Sequence, residues 1–332
     1  MVTGELGTDE GGPRRRGRVL RALTAALITA AVVVPLSGAA RPRIPAPAPA
    51  RLAEITAATL PQAYAANRAN ALEAARMAAA HGDTGRARTE RALANPSRQL
   101  LAFDGRGTGR VTEVFGDLAR ADRTAVLVPG SDTSLDTYAR FRATATALAA
   151  RLAQEAPPGT RTAVVAWLGY ETPGTVSATV LTTGRAEQAA AGLGEFIRDL
   201  HAVTGRTAHV ALLCHSYGSV VCGRAADRLT VDDIALIGSP GTGAADVRAL
   251  HTTARVWAAR GGDDWVAEVP HVRAHVFGTT VGFGTDPVDP AFGARVFAAG
   301  DGGHSDYFRP GSVSLANLAR IVLGERAEVS RA

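Results

Sequence analysis

The chain contains no lysine, and all 36 of its basic residues are arginine. That skew reads as the codon bias of a high-GC genome and excludes nothing. A basic surface is also missing. Residues 1–51 hold eight arginines against three acids, while the remainder holds 28 of each, so the net charge of +5 belongs to the N-terminus. A neutral body lacks the basic face that nucleic-acid binding requires. Cysteine is scarce, with Cys214 and Cys222 the only two. Two cysteines do not make a disulfide framework, and the expectation is a pair of small buried hydrophobes. They lie on a strand and a following helix that run antiparallel, which leaves a disulfide conceivable. No two His or Cys stand at metal-ligand spacing, so neither a metal nor another cofactor is expected. There is no internal repeat.

Long apolar runs are missing too. Ala22 to Leu36 is apolar for 15 residues, short for a hydrocarbon core of ~30 Å. Arg14, Arg15, Arg16, Arg18 and Arg21 precede it, and Ser37-Gly38-Ala39-Ala40 follows it. Charged region, apolar stretch and small residues are the three parts of an export signal, so residues 1–40 are expected to be a signal peptide cleaved after Ala39 or Ala40. An uncleaved anchor is the alternative, and it would be the only membrane contact. No twin-arginine consensus is present and no Cys follows the apolar stretch, which argues against a lipoprotein. Either reading puts the folded part outside the cytoplasm.

Residues 41–51 form a Pro/Ala linker. Residues 52–98 read as a helical extension, with helices at Leu52–Thr59 and Pro61–Ala80; Pro61 suits a first helical position and Gly82 a stop. From residue 99 to 325 the pattern changes. Leu100–Asp104 and Arg110–Val114 flank a Gly-rich turn and predict a β-hairpin. Strands are expected at 124–128, 162–167, 210–213, 234–237, 255–259 and 294–298. Helices are expected at 135–154, 185–203, 219–227 and 312–323, with a short one near 244–251. A hairpin followed by alternating strands and helices predicts an α/β fold, a mostly parallel sheet of about eight strands with helices on both faces. Ligands of such sheets bind at the carboxyl ends of the strands. Ser131, Ser216, Ser239, Asp264 and His304 all follow strand ends in this reading.

One stretch organises the rest. His209 to Asp227 reads HVALLCHSYGSVVCGRAAD: a buried strand, a turn, and a run of small residues suited to a helix packed on the sheet. A serine between strand and helix, with a small residue two places on, is the sequence form of a nucleophile elbow. Ser216 has that context, and the alternative is a buried turn serine without chemistry. Ser239-Pro240-Gly241 is a second Ser-x-Gly, but Gly241-Thr242-Gly243 breaks the chain after it, so it reads as a loop.

A serine hydroxyl needs a base, which a carboxylate in turn orients. Of the eight histidines only His304, in Gly302-Gly303-His304-Ser305-Asp306, falls after a late strand. His215 adjoins Ser216, with its side chain expected to point away from the hydroxyl. His209, His251, His271 and His275 read as strand-edge or loop residues. The acid is expected in the loop after 255–259. Asp264 is preferred to Asp263, because Asp264-Trp265-Val266 sets an aliphatic anchor two residues on. Glu268 lies too far along, and Asp286 and Asp289 read as turn residues. An oxyanion hole needs two converging backbone N–H groups. Tyr217, after the serine, and Ser131, in the tight turn after the third strand, are the expected donors.

At this point the chain resembles the bacterial α/β-hydrolase family long catalogued as a domain of unknown function. The resemblance rests on VLVPG (126–130), AWLGYETP (166–173), HSYGS (215–219), FGARVF (292–297) and GHSDYF (303–308), in order at strand ends. It covers roughly residues 100–323 and implies the α/β-hydrolase fold with a triad of Ser216, an acid near Asp264, and His304. The departure is Cys214, where the elbow pattern has Gly. The resemblance brings no settled substrate.

The leading expectation is an exported serine hydrolase that cleaves a carboxylic ester of a small molecule, or an amide or thioester, through an acyl-enzyme. A non-catalytic binding module and a cell-envelope acyltransferase are the rivals. Arg255 follows Gly238 by only 17 positions, which leaves no room there for a large lid. Residues 269–292, rich in Gly, Pro and Asp, are expected to loop over the site instead.

Overall fold

Strands β3 (Arg123–Val128), β5 (His209–His215), β6 (Asp233–Ile237) and β7 (Arg255–Ala259) are apolar along almost their whole length, and each is buried on both faces. Strands of that kind are stable only inside a parallel sheet covered by helices, and the computed structural model has that sheet. The structure describes residues 44–332 apart from 175–183, 270–273, 277–278 and 282; the expected signal peptide lies outside the described residues. Residues 44–332 form one compact unit.

The remaining strands of the main sheet are β1 (Gln99–Asp104), β2 (Arg110–Gly116), β4 (Thr162–Leu168) and β10 (Arg295–Val296), in the order β1-β2-β4-β3-β5-β6-β7-β10. The β1–β2 hairpin and the β2–β4 pair are antiparallel, and every other pair is parallel. This is the α/β-hydrolase sheet. Helices α3 (Tyr138–Glu155) and α6 (Val313–Leu323) pack on one face, and α4 (Gly184–Thr204) and α5 (Gly218–Ala225) on the other. The parallel register pairs Val128 with Cys214, His215 with Ile237, and Ile237 with Ala259. Four strands therefore end level, and their following turns emerge side by side.

Helix α1 (Leu60–His81) docks on β1 through Asn67, whose buried side-chain amide donates to the carbonyls of Leu100 and Leu101 at the strand's bulge. The expected helix at Leu52–Thr59 is not formed. The Thr59 hydroxyl accepts from Thr56 N–H and donates to the Glu54 carbonyl, so side-chain bonds replace helical ones there. A helix that the pattern did not signal, α2 (Thr84–Leu93), follows instead. Its buried face carries Arg86 and Glu90, so apolar periodicity could not reveal it. Arg86 makes a bidentate pair with Asp136 at 2.8 and 3.0 Å, which ties α2 to the turn before α3.

Three further expectations are corrected. The segment near 244–251 forms only a single 3-10 turn, Arg248–Leu250. The last strand is two residues long; Phe297, just after it, still donates its N–H to the Ala258 carbonyl and forms a bridge with Arg331. Residues 269–292 contain a small hairpin, β8 (Ala274–Val276) and β9 (Thr279–Val281), rather than loop alone.

Candidate active site

The turn after β5 is sharp. Ser216 has φ 53°, one of three non-glycine residues among those described with a left-handed backbone, and its N–H donates to the Ile237 carbonyl at 3.0 Å. A β-carbon on Gly218 would lie 2.5 Å from the Val128 carbonyl oxygen, and one on Gly130 would lie 2.6 Å from Ser216 Cβ. Both glycines are needed because backbone and serine approach too closely for any side chain. Cys214 stands where the elbow pattern has Gly. Its side chain is directed to α5 and forms a disulfide with Cys222, correcting the expectation of two unpaired hydrophobes. Strand end and helix are close enough for the bond, with Cα atoms 6.4 Å apart. Eight residues of sequence separation close a covalent loop around Ser216.

The turn after β7 carries Asp264, buried, with its Oδ1 accepting from Val266 N–H at 2.9 Å. His304, in the loop before α6, approaches through Nδ1 at 2.9 Å from Asp264 Oδ1 and 3.1 Å from Oδ2. A carboxylate can only accept, so Nδ1 carries the proton of this bond. Burial alone would raise the Asp264 carboxyl. Hydrogen bonds from His304, Tyr307 and Val266 N–H outweigh it and hold the group below the usual carboxylate range. The acid is therefore ionised at neutral pH. Gly238, at the end of β6, sits against this pair at φ 54°; a β-carbon there would lie 2.8 Å from Asp264 Oδ2 and 3.1 Å from His304 Nδ1.

Ser216 and His304 line one cavity of about 750 Å³ together with Ser131 and Tyr217. Among the described residues no hydrogen bond joins the Ser216 hydroxyl to His304; in unliganded sites such contacts are often long and tighten with substrate. The Ser131 N–H has no hydrogen-bond partner among the described residues. Tyr217 is the residue immediately before α5.

The other acids do not reach His304. Asp263 is exposed, Asp286 pairs with Arg260 at 2.5 Å, and Asp289 caps the turn at Ala291. Glu268 ends the 3-10 turn Trp265–Glu268. The Ser239 hydroxyl is spent within its own loop on the Gly241 carbonyl. His209 binds the buried Asp233 at 2.9 Å, at the far end of the sheet. His271 lies outside the described residues.

Sequence reasoning passed over several neighbours. Tyr307 donates its hydroxyl to Asp264 Oδ2 at 2.5 Å and accepts from Gly261 N–H at 3.0 Å. His215 Nε2–H donates to the His304 carbonyl at 2.8 Å, and the two rings lie 4.7 Å apart. Burial, helped by nearby His304, pushes the His215 imidazole down to about 4, so it is neutral at pH 7. Trp265 is half exposed, and its ring centroid lies 4.7 Å from that of His304. Tyr170 donates to the Pro129 carbonyl at 2.6 Å, and Thr172 exchanges hydrogen bonds with Thr133. The loop after β4 thus fixes the loop that carries Ser131. A signal existed for four of them: Tyr170 and Thr172 lie in AWLGYETP, Tyr307 in GHSDYF and His215 in HSYGS. Among the described residues no group of three His, Cys, Asp or Glu gathers that could hold a metal ion.

An elbow serine, a histidine and a buried carboxylate at the carboxyl edge of this sheet define an α/β-hydrolase. The chain belongs to that family: the family described as Alpha/beta hydrolase matches residues 104–274. An uncharacterized protein of Mycobacterium tuberculosis is 31% identical over 272 residues, covering 69% of this chain and 40% of that protein. The chain thus spans less than half the length of this relative. Among solved structures, a serine hydrolase of Xanthomonas campestris described as lacking a lid is 16% identical. It covers 65% of this chain and 89% of its own, with a TM-score of 0.41. Thermogutta terrifontis esterase 2 is 12% identical and covers 67% and 92%, with a TM-score of 0.40.

Proposed function

We propose that this chain is an exported serine hydrolase that cleaves a carboxylic ester through an acyl-enzyme on Ser216. The observation that carries the reading is the Asp264–His304 pair, whose imidazole lines the cavity of a left-handed elbow serine. The Ser216 hydroxyl attacks the ester carbonyl carbon as its proton passes to His304 Nε2. Asp264 stabilises the imidazolium so formed without taking its proton. The tetrahedral oxyanion is held by the N–H groups of Ser131 and Tyr217. Collapse expels the alcohol, which takes the proton from His304, and leaves the acyl group on Ser216. Water repeats the sequence: its proton goes to His304, the carboxylic acid leaves, and the proton returns to Ser216.

A fluorophosphonate should label the wild-type chain and fail to label Ser216→Ala. The same variant should lose about 10⁴-fold in ester hydrolysis while keeping its fold. Full activity in Ser216→Ala would sink the mechanism. Export is supported by the leader and by the Cys214–Cys222 bond, since disulfides persist in oxidising compartments. Residues 1–45 fused to a reporter should carry it out of the cytoplasm, with a new N-terminus after Ala39 or Ala40. A reporter retained inside the cell would refute it.

A further inference from the structure

We infer that the ester taken at Ser216 carries a long apolar acyl chain, seated in a groove between α3 and the 304–310 loop and measured at its far end by Ala147. The inference rests on the acyl-enzyme reading above and adds the substrate class.

The cavity straddles the edge of the sheet. Tyr217 and Phe283 belong to the apolar layer under α4 and α5, whereas Leu127, Leu213 and Phe308 belong to the layer under α3 and α6. Ser216 lies between the two lobes, so the two halves of an ester are received on opposite sides of it. The α3 lobe is elongated. Thr137, Arg140, Phe141, Thr144 and Ala147 line it, and their spacing is one face of a helix. From Thr137 to Ala147 that face runs for about 15 Å. Phe308, Arg309 and Pro310 line it from the 304–310 loop, and Leu127 and Leu213 from the sheet. Beyond Arg140 the helix contributes Phe141, Ala143, Thr144 and Ala147 to the lining, with no charge among them.

Chemistry assigns the acyl half to this lobe. The leaving alcohol must sit at His304, which gives it a proton, and Trp265 covers that ring. The carbonyl must face Ser131, whose loop runs directly into α3. An acyl chain leaving that carbonyl away from His304 enters the α3 groove. The small side chain of Ala147, packed at the rim of this apolar layer, leaves the far end open.

The test is a series of p-nitrophenyl esters from acetate through octanoate to dodecanoate, hydrolysed by the full chain and by Ala147→Trp, with fluorophosphonate labelling of both. In the wild type kcat/KM should rise up to about fourfold for each added methylene until the groove is full. Ala147→Trp should lose at least tenfold on dodecanoate, stay within twofold on acetate, and label as the wild type does. Thr144→Phe, one turn nearer Ser216, should move the cut-off to shorter chains. Lengthening the alcohol of an acetate ester should give no comparable rise. Labelling together with a flat acyl profile, or an equal loss on all esters in Ala147→Trp with Thr144→Phe unchanged, overturns this inference alone. Absence of labelling overturns the acyl-enzyme reading and this inference with it.

Discussion

Asp264 is shared between two donors: His304 Nδ1 lies 2.9 Å from Oδ1, and the Tyr307 hydroxyl lies 2.5 Å from Oδ2. The tyrosine keeps its proton, because burial and the adjacent carboxylate raise it far above the ordinary phenol range. It therefore acts as a fixed donor that holds the carboxylate in the plane His304 needs.

Removing that donor tests its role. Tyr307→Phe deletes one hydrogen bond to a charged acceptor, about 1.5–3 kcal/mol. kcat should fall roughly 10–100-fold with KM nearly unchanged. An unaltered kcat in steady-state ester hydrolysis would show that Val266 N–H and His304 suffice to orient the acid.

Adjacent aspartates separate the acid from its neighbour. Asp264→Asn should lower kcat by about 10⁴, since an amide stabilises neither the right tautomer nor the imidazolium. Asp263→Asn, on an exposed side chain, should stay within a few-fold of wild type. The reverse order of effects would reassign the acid.

Gly238 offers a geometric test. Its φ of 54° strains any other residue, and a β-carbon would press on Asp264 Oδ2. Gly238→Ala should cost about 1–2 kcal/mol of stability and roughly 100-fold in kcat through displacement of the Asp264–His304 pair. Retained kcat in a variant that melts lower would show that the pair can shift without loss.

The disulfide predicts a stability change rather than a chemical one. Closing a loop of this length contributes about 2.5 kcal/mol in the chain-entropy account. Cys222→Ser should lower the urea midpoint accordingly. Thiol counting on the denatured, unreduced wild-type protein should find no free thiol, and two free thiols would refute the pairing.

His215 predicts a pH effect on stability. Its folded value of about 4 lies below the ordinary ~6.5. Between the two, the unfolded chain binds a proton that the folded chain refuses, so stability drops as pH falls from about 6.5 toward 4. His215→Asn removes that titration. Urea unfolding at several pH values should show the wild type losing more stability than the variant across this window. Parallel curves would refute it.

Sequence alone determined the frame. Continuous apolar strands can be satisfied only within a covered parallel sheet, so β3 through β7 and the edge where ligands bind were legible from their composition. The elbow was legible as well, because only a sharp turn between buried strand and helix calls for small residues around a serine. The aliphatic anchor at Val266 singled out Asp264 over Asp263 by spacing. The fold decided what spacing cannot express. Helix α2 buries Arg86 and Glu90, with Arg86 held by Asp136 of a distant turn, and a buried face made of charged residues leaves no apolar period. Cys214 and Cys222 read as packed hydrophobes until strand end and helix were set at bonding distance. Tyr307, His215 and Gly238 owe their places around Asp264 and His304 to three different strand ends meeting. Such a meeting is a property of register across the sheet, and no local pattern in the chain encodes it.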